Sequence, residues 1–124
     1  MTVSKQVWRR RAPRLPVDRA GRLSGRLPQP IGVLELSLTG CLVRCGTLLD
    51  LGAILDLEIV LDDGPLTAKV RVADASLDGA TTGADRPGCL AGLEFLGLPA
   101  REAARLRRFL DEERRRRSAH ASPR

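Results

Sequence analysis

The sequence predicts a mainly β fold, a six-stranded antiparallel β-barrel with one C-terminal α-helix. The first observation is the length of 124 residues, which suits one domain with a modest core. The second is a series of short apolar segments separated by turn residues, a pattern typical of small barrels. The third is that helical periodicity is found at the C-terminal end, after Pro99. Closing the strands into a barrel also removes exposed strand edges.

The first three predicted strands lie in the N-terminal half of the chain. A weakly alternating segment at 15–27 is the first strand, and the apolar run at 31–36, after the Pro-Gln-Pro sequence at 28–30, is the second. The third covers residues 41–45 and follows a Ser-Leu-Thr-Gly turn at 37–40. Proline and glycine interrupt regular structure, so they indicate where these strands begin and end.

The clearest strand signal is a pair of alternating segments joined by a tight turn. Apolar residues alternate with other residues over 54–61 and again over 66–73, and an Asp-Asp-Gly-Pro turn at 62–65 connects them. Such alternation buries one face of a strand, so the two segments predict an antiparallel hairpin. Residues 78–88 are rich in Gly, Thr and Asp and predict a loop, and residues 89–96 predict the last strand.

An amphipathic helix is predicted after Pro99. Proline favours the first turn of a helix, and Glu102 would lie near the positive end of the helix dipole. Apolar residues at spacings of three and four share one face of this helix, namely Ala103, Leu106, Phe109 and Leu110. We therefore expect the helix to pack against the barrel or across one of its openings.

A run of arginines, Arg114–Arg117, follows the apolar face of the predicted helix. Cations near the C-terminal end of a helix are favoured by its dipole. A solvated helix end is therefore one interpretation of the run, and the binding of an acidic partner is the other. Residues 118–124 are expected to fray.

The charge is divided unevenly along the chain. Of the 21 basic residues 19 are arginines, and the formal net charge is +6. Residues 1–26 carry +7, residues 27–98 carry −6 and residues 99–124 carry +5. The arginine bias indicates either a GC-rich genome or a use for the planar guanidinium, which binds phosphate and guanine edges with two hydrogen bonds. An acidic centre argues against specific nucleic-acid binding, with non-specific binding by the basic ends as an alternative.

The sequence offers no recognisable catalytic or metal site. It has no histidine-based dyad, no phosphate-binding G-x-x-x-x-G-K loop and no suggestive carboxylate pair, so we predict a non-enzyme without a cofactor. Cys41, Cys45 and Cys89 form no C-x-x-C pair, and His120 is the only histidine, which predicts structural thiols and no metal. No apolar run reaches the roughly 18 residues of a membrane span, and no signal-peptide pattern is present, which predicts a cytoplasmic protein.

Two short motifs carry the functional prediction. The first is Arg10-x-x-x-Arg14, and the second, about twenty residues later, is Glu35-x-Ser37-x-x-Gly40. In order and spacing they resemble the RxxxR and [D/N]xSxxG signature of the PilZ domain, the bacterial receptor module for cyclic di-GMP.

The resemblance extends over most of the chain. It covers residues 9–112 and includes the DDGP turn, the GLEFLGL strand end and the REAARLRRFL helix. It implies a PilZ-type barrel at 9–112, a flexible N-terminal arm at 1–8, and a basic helix end with a disordered tail at 113–124.

The resemblance also implies a cyclic di-GMP site between the arm and the barrel. Arginines of the arm would bind phosphate or guanine, because the guanidinium pairs with phosphate oxygens or with O6 and N7 of guanine. The end of the second strand would supply an acceptor, a hydroxyl and a position without a side chain. The implied site residues are Arg10, Arg14, Glu35, Ser37 and Gly40, with Arg9, whose position in the family influences whether one ligand or a stacked pair is bound.

Position 35 departs from the family signature. Glu35 replaces the family's Asp or Asn and moves the acceptor oxygens outward by one methylene, about 1.5 Å. Such a displacement costs about 1–3 kcal/mol where a buried polar group of the ligand loses its partner.

Two functional hypotheses follow from these observations. One is a stand-alone receptor, monomeric or homodimeric, that signals to an unidentified effector protein in motility, pilus, biofilm or exopolysaccharide control. The other is an adaptor that binds no nucleotide and acts through protein contacts alone.

Overall fold

The computed structural model describes residues 14–25, 28–78 and 88–121. In these residues six β-strands are followed by one α-helix. The strands are β1 (Leu15–Ser24), β2 (Pro28–Leu36), β3 (Gly40–Cys45), β4 (Ile54–Leu61), β5 (Gly64–Asp78) and β6 (Gly88–Phe95), and the helix is α1 (Ala100–Ala121).

The six strands form a closed antiparallel barrel in the order β1-β2-β3-β6-β5-β4. Closure comes from the pairing of β1 with β4, in which Gly21 is opposite Ile59 and Ser24 is opposite Asp56. The predicted fold class is therefore confirmed. The predicted hairpin is formed by β4 and β5, whose pairing runs from Leu61 and Gly64 at the turn outward.

The Pro-Gln-Pro segment lies inside β2, although the sequence indicates a strand boundary there. Pro28 pairs with Ser24 of β1, whereas β3 pairs with β2 only from Gly32 onward. Among the described residues, β2 therefore has one neighbouring strand at this point. Proline, which has no N–H to donate, is tolerated on such an edge.

Strand β5 is longer than the sequence predicts. It continues to Asp78 instead of ending at Ala73, and the added residues pair with β6. Its Asp- and Ser-containing extension has little strand propensity of its own, so the backbone hydrogen bonds to β6 determine its conformation. Residues 79–87 of the predicted loop lie outside the described residues.

The core of the barrel is aliphatic, as the sequence predicts. In β4 the alternating residues Leu57, Ile59 and Leu61 are buried. Phe109 of α1 is also buried, and Phe95 packs at the edge of the same cluster. Among the largest fully buried side chains are Leu23, Leu36, Leu57, Ile59, Leu66, Leu93 and Leu106. Burial of each such leucine stabilises the fold by about 1.5–3 kcal/mol relative to exposure.

All three cysteines are buried and free. Burial raises the pKa of the Cys41 thiol to about 12, and burial together with the neighbouring Cys89 raises that of Cys45 to about 12. Thiols with a raised pKa are poor nucleophiles, so these residues fit the predicted structural role. Among the described residues, no group of three His, Cys, Asp or Glu side chains is placed to hold a metal ion.

Helix α1 packs against the end of the barrel where β1 begins and where the β4–β5 turn lies. Leu106, Phe109 and Leu110 enter the core cluster. The Arg19 guanidinium lies 5.1 Å from the centre of the Phe109 ring and forms a 2.8 Å ion pair with Asp62 of the turn.

Within the described residues, no helix is long and apolar enough to cross a lipid bilayer.

The helix continues to Ala121, whereas the sequence predicts fraying from Ser118. Contacts with the barrel and within the helix account for the difference. Arg117 Nη2 donates a 2.6 Å hydrogen bond to the Pro16 carbonyl, and Arg116 forms a 2.7 Å ion pair with Glu113 one turn earlier. These contacts hold the last turns in a helical conformation.

Arg105 fastens α1 to the β4–β5 turn. Its guanidinium donates two hydrogen bonds to the Asp63 carboxylate, at 3.2 and 2.8 Å, and one each to the carbonyls of Gly64 and Pro65, both at 2.9 Å. A further 2.8 Å bond reaches Glu102 on the same helix. The Arg105 guanidinium lowers the pKa of Asp63 below its ordinary value.

We expect Arg105→Ala to lower the melting temperature and to weaken its dependence on acid pH. Because the pKa of Asp63 is lowered in the folded state, its contribution is present above its unfolded pKa, about 4, and is lost as the pH falls through its lower folded value. Thermal unfolding between neutral pH and about pH 3 measures both effects. The control is Arg107→Ala, an exposed arginine on the same helix. An equal loss in the two variants would contradict the role given to Arg105.

Candidate functional site

The turn between β2 and β3 is built around the Ser37 hydroxyl. Ser37 is fully buried, and its Oγ accepts hydrogen bonds from the N–H groups of Thr39 and Gly40, at 3.1 and 3.2 Å. The Ser37 N–H donates to the Gly40 carbonyl at 2.9 Å. Its hydroxyl proton lies within reach of the Gly40 carbonyl and of Thr39 Oγ1, both at 3.2 Å. The hydroxyl is therefore engaged within the turn itself.

Gly40 lies where β6 leaves no room for a side chain. A Cβ atom at this position would be 2.1 Å from the Leu93 carbonyl oxygen, well inside contact distance. Gly40 is opposite Glu94 in the β3–β6 pairing, and the Phe95 N–H donates to the Thr39 carbonyl at 2.9 Å. The glycine of the second motif is thus needed for strand packing.

Glu35 faces outward because β2 contains a β-bulge. Ile31 and Val33 are buried, and the next buried residue is Leu36, because the register shifts between Val33 and Glu35. Without this shift, strict alternation would place Glu35 on the same face as Val33, towards the core. The bulge instead brings the carboxylate to the outer surface, where the side chain is 36% exposed.

Arg14 immediately precedes β1 and lies beside Glu35. Its Nη1 atom is 3.9 Å from Glu35 Oε1, and its side chain is 8% exposed. The register explains the proximity, since Pro16 of β1 is opposite Glu35 of β2. The positive charge of Arg14 also acts on Cys41 of β3, where it partly offsets the rise in the thiol pKa that burial causes.

Four of the predicted site residues fall within the described part of the chain. The structure brings together the side chains of Arg14 and Glu35 at the end of β2, and Ser37 and Gly40 follow in the adjoining turn. Arg9 and Arg10 lie outside the described residues.

Two charged residues beside this turn are not singled out by the sequence. Glu94 is the partner of Gly40 across β3 and β6, and Arg71 of β5 forms a 2.8 Å ion pair with it. Both side chains are about half exposed, at 48% for Arg71 and 42% for Glu94. Each lies in a strand that the sequence predicts, but their position beside Gly40 depends on the pairing of three strands, which no local pattern encodes.

Comparison with known protein families identifies the chain. The family model for the PilZ domain matches residues 9–112. The chain belongs to the PilZ domain family. The match includes both motifs, from Arg10 to Gly40, and continues through the barrel into α1. Comparison with curated proteins gives no match.

Solved PilZ structures share the fold of this PilZ domain. The PilZ domain of YcgR from Escherichia coli, solved with c-di-GMP, aligns with a TM-score of 0.73 at 17% identity over 93% of this chain and 99% of its own. YcgR from Escherichia coli in complex with c-di-GMP aligns with a TM-score of 0.75 at 16% identity, over 91% of this chain and 49% of YcgR. The MrkH–c-di-GMP complex of K. pneumoniae gives 0.66 at 18% identity, over 88% and 55%. This PilZ domain therefore spans about half the length of those two chains.

The Arg14–Glu35 pair places hydrogen-bond donors beside acceptors in this PilZ domain. Arginine supplies a planar fork of N–H donors with a positive charge, whereas a carboxylate supplies only acceptors. A ligand that has both an anionic group and N–H donors could satisfy the two side chains together. Their mutual contact at 3.9 Å is longer than a hydrogen bond.

Proposed function

We propose that this PilZ domain is a cyclic di-GMP receptor that signals to a protein partner. The observation that carries the proposal is that Arg14 and Glu35, at their positions in the two family motifs, lie side by side, with the Glu35 side chain 36% exposed and the Arg14 side chain 8% exposed. The PilZ proteins that share the fold, YcgR and MrkH, are described as complexes with c-di-GMP, which supports the same ligand here.

In the proposed complex the ligand lies between the arm and the end of β2. Arg14, with Arg10 and Arg9 of the arm, would bind phosphate oxygens or the O6 and N7 edge of guanine. Glu35 would accept hydrogen bonds from the guanine N1–H and amino groups. Of the described side chains, Glu35 is 36% exposed and Arg14 lies beside it at 8% exposed.

Ser37 and Gly40 would form the floor of the proposed site. The Ser37 oxygen already accepts two backbone N–H groups, so its main contribution would be to fix the turn that follows Glu35. Gly40 carries no side chain and packs directly against the Leu93 carbonyl of β6, so it would fix the position of this turn on the barrel. The floor is therefore preorganised before the ligand arrives, which reduces the entropic cost of binding.

The proposal assigns the domain a role in bacterial second-messenger signalling without a catalytic step. Ligand binding would act by changing the surface that the barrel offers to an effector protein. We place this exchange in the cytoplasm, in the control of motility, pili, biofilm or exopolysaccharide. A monomer or a homodimer is compatible with this role.

The alternative is an adaptor that has lost ligand binding and retains protein contacts. The observation that favours it is Glu35 itself, which is one methylene longer than the family residue and pairs with Arg14. In that case the Arg14–Glu35 ion pair would be a structural link between β1 and β2.

Titration calorimetry with cyclic di-GMP, applied to the wild type and to Glu35→Asp, distinguishes the two functions. A receptor gives binding heat in the wild type, and Glu35→Asp binds at least as tightly because it restores the family's acceptor position. The adaptor gives no heat in the wild type at ligand concentrations up to about 0.5 mM, which excludes a Kd in the micromolar range. Heat that appears only in Glu35→Asp would identify a decayed site.

A further inference from the structure

The second half of α1 extends beyond the core of the barrel. The buried residues of the helix end at Leu110, and from Asp111 to Ala119 every residue except Glu113 is exposed. A helix segment of nine residues is about 13 Å long. About half the helix therefore offers its surface to the surroundings.

This segment is held in a fixed position relative to the barrel. The Arg117 side chain donates to the Pro16 carbonyl at 2.6 Å, and Arg116 lies 3.7 Å from Asp62 of the β4–β5 turn. A surface that is already ordered binds a partner without the entropic cost of folding it first.

The arginines of α1 divide into two groups. One group is paired: Arg105, Arg114, Arg116 and Arg117 contact carboxylates or backbone carbonyls. The other group is exposed and has no ion pair or hydrogen bond with any described residue, namely Arg101, Arg107, Arg108 and Arg115. Arg108 helps to lower the pKa of Asp63, and the described part of the structure gives the other three no contact of this kind.

Three of the unpaired arginines share one line along the helix. Arg101, Arg108 and Arg115 are spaced by seven residues, so they recur on the same face about 10.5 Å apart and span about 21 Å. This line, which we call the arginine face, lies opposite the side that carries Leu106 and Leu110.

We propose that the arginine face binds an acidic helix of a partner protein. Carboxylates repeated every seven residues on a second helix, packed at a crossing angle of about 20°, would meet the three guanidinium groups in register. Each guanidinium can bind a carboxylate through two parallel hydrogen bonds. The proposal goes beyond the proposed ligand site and does not rest on it.

The charges around the arginine face favour a protein over a nucleic acid. Asp111 and Glu112 are exposed on the same helix and would repel a phosphate backbone. Residues 27–98, which supply most of the barrel, carry a net charge of −6. Glu112 is one turn from Arg108 and Asp111 is one turn from Arg115, so a partner helix must place uncharged or basic residues opposite these two carboxylates. A protein helix can do so, whereas nucleic acid carries a charge at every nucleotide.

The test measures binding of a labelled helical peptide with three glutamates at seven-residue spacing, by fluorescence anisotropy at physiological ionic strength. The protein variants are Arg101→Gln, Arg108→Gln and Arg115→Gln combined, and a matched control with Arg22→Gln, Arg44→Gln and Lys69→Gln combined. Both remove three positive charges from exposed positions. We expect the helix variant to lose affinity by at least about tenfold and the control to stay within about threefold of the wild type.

Two further probes are measured with wild-type protein, so their outcome does not depend on the stability of the variants. The same peptide with glutamine in place of glutamate should not bind wild-type protein, and a DNA duplex of equal charge should bind more weakly than the glutamate peptide. Equal loss in both triple variants, equal binding of the glutamine peptide, or tighter binding of DNA would each overturn the proposal. Because no measurement includes cyclic di-GMP, a negative result here does not affect the receptor function, which the calorimetric titration tests separately.

Discussion

Gly40→Ala is expected to destabilise the barrel by about 3 kcal/mol or more, a large part of the stability of a small domain. The added Cβ would lie 2.1 Å from the Leu93 carbonyl oxygen, which belongs to the backbone of β6 and cannot rotate away. To make room, β3 and β6 must separate at Gly40 and Glu94, next to the Phe95–Thr39 backbone hydrogen bond. Urea unfolding followed by circular dichroism measures the loss.

Gly32→Ala is the matched control for this prediction. Gly32 also lies in a barrel strand and pairs with Arg44 of β3, but a Cβ there would meet no atom within 4 Å. We expect its effect on the free energy of unfolding to stay within about 1 kcal/mol, with stabilisation possible because alanine has less freedom in the unfolded chain. Similar losses for both variants would show that the Leu93 contact does not determine the requirement for glycine.

Arg14→Ala is expected to weaken cyclic di-GMP binding at least about a hundredfold, or ~2.7 kcal/mol, if the proposed function holds. Two charge-assisted hydrogen bonds from one guanidinium account for a loss of this size. The carboxylate of Glu35 would also lose its neighbouring positive charge, which would leave an uncompensated negative charge beside an anionic ligand. Calorimetric titration of the variant gives the change in Kd directly.

Arg22→Ala provides the control for charge alone. Arg22 lies on the exposed side of β1, so its removal lowers the net charge equally without touching the end of β2. We expect its Kd to stay within about threefold of the wild type. If Arg22→Ala weakens binding as much as Arg14→Ala, the ligand is held by general electrostatic attraction and not at the proposed site.

The barrel is largely predictable from the sequence because its strands carry strong local signals. The alternating apolar residues of β4 give its bounds, Ile54–Leu61, since one buried face requires a period of two. The same reasoning fails at the end of β5. Asp74, Ser76 and Asp78 are poor strand formers, and it is the pairing with β6 that makes them a strand.

The site is predictable in its residues and less so in its contacts. The spacing of the motifs identifies Arg14 and Glu35, but their proximity depends on the β1–β2 register and on the bulge that turns Glu35 outward. A bulge leaves no clear sequence signal in a run such as Ile31–Leu36. The hydrogen bonds that the Ser37 hydroxyl makes within its own turn likewise depend on the folded backbone.

The hydrogen bonds of Ser37 and the tight contact at Gly40 show that part of the sequence motif is required for folding, whereas another part serves ligand binding in the proposed function. Both residues are needed to connect β2 to β3 and to seat β3 against β6, whether or not a nucleotide ever binds. A descendant of this protein that lost cyclic di-GMP binding would still be under selection to keep the serine and the glycine. Within the signature, the evolutionary record of ligand binding would therefore be found at Arg14 and Glu35 rather than at Ser37 and Gly40.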